Sequence, residues 1–164
     1  MDTAARVYKC VSLALESHLA KDISPATVSL VAVLVSSCLS ALSRGVSKRE
    51  GANYVIALLG SIDPAIYSSE GTLFVDSVNY ALPTVESMDT VNDIILTAIH
   101  REFDGTYDPV IVPSVLCRMA VRYFCIHQDC YPEESIDILQ GYLREVPIEQ
   151  MQDVPFWEAL RTMN

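Results

Sequence analysis

Cys117, Cys125, His127 and Cys130 fall within residues 117–130 and form the densest set of reactive side chains in the sequence. Thiolates and imidazole are the ligands zinc prefers, and the spacing Cys125-x-His127-x-x-Cys130 would set three of them at the end of a helix and in the turn after it. The paired C-x-x-C knuckles of a structural zinc site are missing, and Cys117 lies about two helical turns before Cys125. Cysteine is also among the residue types most often buried, so thiols packed in a core are the simpler expectation. Nucleophilic use would require Cys125 or Cys130 to meet a base such as His127, His100 or His18, with an orienting carboxylate and an oxyanion site. No local signature of such an enzyme surrounds any of the five cysteines.

Two acidic pairs, Asp89 with Asp93 and Glu133 with Asp137, are each one helical turn apart and could present two carboxylates to a divalent ion. Glu102, near His100, is the best candidate for a further ligand, although a solvated face accounts for the pairs more simply. Arg118 and Arg122 form the converse pair. They suit a phosphate or carboxylate, or equally an ion pair with Glu133, Glu134 and Asp137 of the following helix. Near the end of the sequence Phe156 and Trp157 make an aromatic segment able to dock on the parent core, in a partner's groove or in a homodimer. No complete catalytic or cofactor motif emerges, and no cofactor is expected.

The elements that must position these groups read as helices. Val7, Val11, Ala14, Leu15, His18 and Leu19 form one stripe at three- and four-residue spacing over residues 3–21. Pro25 to Leu42 carries no formal charge, with Ser24 as N-cap, Pro25 in the first turn and Gly45 as a left-handed stop. Ser47 and Glu50 have the spacing of a capping box for a helix running to Gly60. Asp63-Pro64 opens a further turn, and residues 72–82 read as a short helix ended by Pro83. Met88 to Phe103 and Val112 to His127 repeat the helical period. A helix beginning at Pro132 turns Ile136, Leu139, Tyr142 and Leu143 inward, and Pro155 opens a last one. Thr106 to Val112 is the only extended stretch, and Pro109 and Pro113 argue against a strand there. The prolines at 25, 64, 109 and 155 have the spacing of a helical-repeat solenoid, but the residues after them share no pattern.

The uncharged stretch 25–42 is long enough, at the short edge, to span a bilayer. Thr27, Ser29, Ser36, Ser37 and Ser40 lower its hydrophobicity, and several amphipathic helices are available to cover it. Residues 1–60 hold six Lys or Arg against four acids, whereas residues 61–164 hold five against seventeen, within a net charge of -10. So acidic a surface disfavours binding to nucleic-acid phosphates and suits a protein partner with a basic surface. An odd number of cysteines without a signal-peptide pattern points to reduced thiols in an intracellular, cytoplasmic setting.

Together these features describe one all-α domain over residues 1–164, a bundle of seven or eight helices around a central apolar helix at about 25–44. The function they suggest is non-enzymatic: an adaptor, inhibitor or small regulator that binds another protein through an acidic face or an apolar groove. A metal-dependent enzyme or zinc protein built on residues 117–130, and a membrane-associated protein inserting residues 25–42, are the alternatives.

Overall fold

The computed structural model describes residues 2–67 and 83–150. They form six α-helices: α1 (Thr3–His18), α2 (Pro25–Arg44), α3 (Lys48–Gly60), α4 (Val85–Phe103), α5 (Ile111–Gln128) and α6 (Pro132–Glu145). Short 3-10 turns occur at Pro64–Tyr67 and Ile148–Gln150, and the described residues contain no strand. The helices expected at 72–82 and after Pro155 lie outside the described residues.

Local chemistry sets most of the helix ends. The Asp2 carboxylate accepts from the Ala5 amide at 2.7 Å, Ser24 Oγ from Ala26 at 3.2 Å, and Ser47 Oγ from Glu50 at 3.1 Å. Each satisfies an amide that the first helical turn leaves without a partner. Gly45 closes α2 at φ 66°, where a side chain would be strained. α4 begins three residues earlier than the expected Met88, because Thr84 and Ser87 cap each other's backbone amides reciprocally. α5 is capped from outside: Asp108 Oδ1 accepts from both Val110 and Ile111 at 2.9 Å.

α2 is the most deeply covered element, with 83% of its apolar window buried. It packs most extensively against α5, then α3, and also meets α4 and α6. Contact between α2 and α5, so far apart in sequence, rules out the solenoid, in which each repeat touches only its neighbours. Two serines knit the pair: Ser29 Oγ donates to the Ala120 carbonyl at 2.9 Å and Ser36 Oγ to that of Pro113 at 2.7 Å. Ser37 Oγ returns its proton to the Val33 carbonyl of its own helix at 2.8 Å. Such hydroxyls are small enough for close helix approach and meet their hydrogen-bonding demand without water. α3 crosses closely at Gly51, where an added Cβ would overlap the Ser37 carbonyl oxygen and lie 2.8 Å from the Ala41 Cβ.

The far end of the bundle is tied by Arg49. Its guanidinium donates to the Leu143 and Val146 carbonyls at 2.7 and 2.6 Å, and it grips both carboxylate oxygens of Glu149 at 2.8 and 3.0 Å. The open C-terminus of α6 is thereby capped by a cation, where the helix dipole favours one.

Candidate functional site

The cysteine and histidine set does not assemble. Positions two apart on a helix point roughly 200° away from each other, and accordingly Cys125 is buried while His127 is exposed. His127 lies against the Tyr123 ring, centroids 4.2 Å apart, and Cys125 Sγ donates to the Val121 carbonyl at 3.1 Å. Cys117 faces α2, its Sγ 3.3 Å from Ser36 Oγ. Burial pushes the thiols of Cys117 and Cys130 up to about 12, away from the thiolate form that a nucleophile needs. No group of three or more His, Cys, Asp or Glu among the described residues is placed to hold a metal ion.

Other predicted groups are likewise placed apart. Glu102 is committed to Arg6, at 2.9 Å, rather than to the Asp89 and Asp93 pair. Burial, with the neighbouring Asp89 charge, raises the Asp93 carboxyl above its ordinary range. Glu133 and Asp137 are exposed on α6, and Glu134 is half-buried. Arg118 is exposed, and its carbonyl accepts from the buried Tyr67 hydroxyl at 3.1 Å. Arg122 reaches α1, where it donates to the Tyr8 hydroxyl. His18, expected on the apolar stripe of α1, is exposed at the helix end. Phe156 and Trp157 lie outside the described residues.

What the fold does build is an apolar cleft of about 580 Å³ between α1 and α5. Val11 and Leu15 of α1 and Leu116 and Ala120 of α5 form its walls, while Val28 and Ala32 of α2 and Ile95 of α4 close the floor. Met119, Tyr123 and Ile126 stand along one edge, with Tyr8, Ser12 and Glu16 along the other. The lining residues recur at the helical period: positions 8, 11, 12, 15 and 16 make one face of α1, and Leu19 follows just past its end. From Tyr8 to Leu19 that face runs roughly 16 Å, at about 1.5 Å per residue. Among the described residues the cleft is open to solvent, and Tyr8 and Ile126 remain 41% and 43% exposed there. Large apolar side chains bordering a concave surface are the usual mark of a binding site.

Sequence reasoning named an apolar groove but could not place it. A signal that could have pointed to it is the breadth of the apolar surface on α5, where Met119, Tyr123 and Ile126 lie beside the buried residues. Comparison with known protein families, characterised proteins and solved structures returns no match.

Proposed function

We propose that the protein is a non-enzymatic interaction protein whose α1–α5 cleft receives the apolar stripe of a partner protein's helix, with α2 as the axis of the supporting bundle. The observation that carries this reading is the open shape of the cleft among the described residues. Small-molecule pockets of this volume bury about 70–90% of their ligand. A cleft open to solvent leaves an apolar small molecule exposed, so its occupant must bring its own cover. An amphipathic helix does that, its apolar side chains filling the cleft while its polar face meets water.

The dimensions agree. A volume of about 580 Å³ spread over roughly 16 Å gives a narrow trench that holds a row of side chains, with the helix backbone resting on the rim. The edges supply residues at three- and four-residue spacing, Tyr8, Ser12 and Glu16 on α1 and Met119, Tyr123 and Ile126 on α5, against which a third helix can interdigitate. Met119 suits this role, since an unbranched thioether adapts to different apolar partners.

Insertion of α2 into a bilayer is the competing use of its length and apolarity. It would expose the Ser29 and Ser36 hydroxyls to lipid after breaking their bonds to α5, which disfavours it. The test is partner capture from lysate at moderate salt by the wild type, by Met119→Trp, which fills the cleft, and by the triple reversal of Glu133, Glu134 and Asp137 to Lys. With melting curves confirming folded protein, the proposal expects capture to be lost only in Met119→Trp. Loss only in the triple reversal would move the site to the acidic face of α6.

A further inference from the structure

The N-terminal turns of α2 and α4 line a second cavity, of about 460 Å³. It is distinct from the α1–α5 cleft, with which it shares Ala20 and Ile23 of the loop joining α1 to α2. Its volume falls within the roughly 300–1,000 Å³ of small-molecule sites. Unlike the cleft, it is lined largely by hydrogen-bonding groups. Asp22 and Glu86, both exposed, stand at its rim, and Thr27 is its most buried polar residue, only 2% exposed. The Thr27 hydroxyl makes no hydrogen bond with the described residues, yet protein atoms do not fully enclose it, so it faces the cavity. The other hydroxyls are committed to different degrees. Thr84 and Ser87 cap each other and have no proton to spare. Ser24 Oγ accepts from the Ala26 amide, which leaves its proton to donate, and Thr90 Oγ1 donates to the Glu86 carbonyl, which leaves its oxygen to accept.

We infer that this cavity binds a small neutral sugar, a mono- or disaccharide, whose hydroxyls bond Thr27, Ser24 and the Asp22 and Glu86 carboxylates. The inventory of donors and acceptors decides the class of ligand. An anion would use the Ser24 and Thr27 protons but meet two carboxylates, which when ionised only accept and carry its own sign. A cation would use the carboxylates but leave both protons unmatched. It would also face the positive ends of the α2 and α4 dipoles, about half a charge each. A sugar hydroxyl donates and accepts at once, so neighbouring hydroxyls on one ring match donors and acceptors set side by side. Ala20, Ile23 and Pro83 add apolar surface against which the C–H face of the ring can lie. Thr27 is the discriminating contact, because a buried hydroxyl favours a ligand that can satisfy it over one that cannot.

The probes are glucose, galactose, mannose and maltose, each titrated to millimolar concentration into the whole protein and followed by amide NMR. With at least one of them the amides of Ser24, Thr27, Ser87 and Thr90 should shift, while those of Tyr123 and Ile126 in the α1–α5 cleft hold their positions. Thr27→Val removes the hydroxyl at nearly constant shape. With no bond of its own to lose, it should leave the melting temperature unchanged and weaken sugar binding roughly threefold to tenfold, the scale of one hydrogen bond. Glu86→Gln, an exposed change that the fold tolerates, should weaken the same binding by removing a charged acceptor. No shift at these amides with any of the four sugars, or shifts that Thr27→Val and Glu86→Gln both leave unchanged, would overturn the inference. So would a stronger response of the same amides to inorganic phosphate or to methylammonium than to every sugar, which would assign the cavity to an ion.

Discussion

α5 presents two faces to α1 and α2, and the two are built on different principles. Toward α2 it is sealed: small residues allow close approach, Ser29 and Ser36 satisfy themselves on α5 carbonyls, and Cys117 is buried against Ser36. Toward α1 it is left ajar, with Met119, Tyr123 and Ile126 bordering an open apolar trench. Both faces are apolar. The difference lies in whether the fold supplies the facing surface itself, and that separates a core from a binding site more reliably than composition does.

The sharpest break of this comparison is one chemical change made on each side. Val33 is fully buried, and Val33→Asp places an unpaired charge in the core, at an expected cost above about 4 kcal/mol that unfolds the domain. Ile126→Asp, on the rim, should stay within about 0.5 kcal/mol of wild type. Circular dichroism with urea titration reads both. Gly51→Ala comes next, because the new methyl meets backbone of α2 rather than a side chain able to move. A loss of about 3 kcal/mol is expected, seen as an earlier urea midpoint. A smaller contrast pairs Ser36→Ala, costing about 1 kcal/mol through its lost bond to Pro113, with Ser12→Ala in the cleft, which should leave the midpoint unchanged.

The subtlest expected effect concerns pH. Hydrogen bonding from Arg49 pulls the Glu149 carboxyl down to about 2 from an ordinary 4.5. A carboxyl whose folded value is the lower one adds stability at pH above 4.5 and loses it as the pH falls toward 2. Arg49→Gln should therefore flatten the dependence of melting temperature on pH across that window. An unchanged slope would show that the pair does not persist in solution.

Helix existence and most helix ends are legible in the sequence, because Ser24, Pro25, Gly45, Ser47 and Pro132 act through local backbone chemistry. The expected start at Met88 falls three residues late because the reciprocal cap of α4 pairs Thr84 with Ser87, whereas the usual capping box carries Glu or Gln at that position. At residues 117–130 the simpler expectation, thiols packed in a core, matches the buried Cys117, Cys125 and Cys130, while the alternative zinc spacing sets Cys125 and His127 close along the chain but opposed around the helix. His18 was drawn onto the apolar stripe by its spacing, yet α1 ends there and leaves it in solvent. The cleft was not locatable at all. It exists because α1 and α5 stand side by side over α2 and α4, and that pairing depends on tertiary packing no local pattern encodes.

The account stands most directly on the claim that the trench bordered by Met119 is where an apolar partner helix binds. Methyl NMR of the protein labelled at its methionines isolates that residue, since the sequence holds only five. On titration with an amphipathic helical peptide selected for binding to the protein, the Met119 methyl should shift and broaden while that of Met88, which packs against the core on α4 and does not border the cleft, holds its position. A bound peptide that moves Met88 and leaves Met119 unperturbed would contradict the assignment of the binding surface.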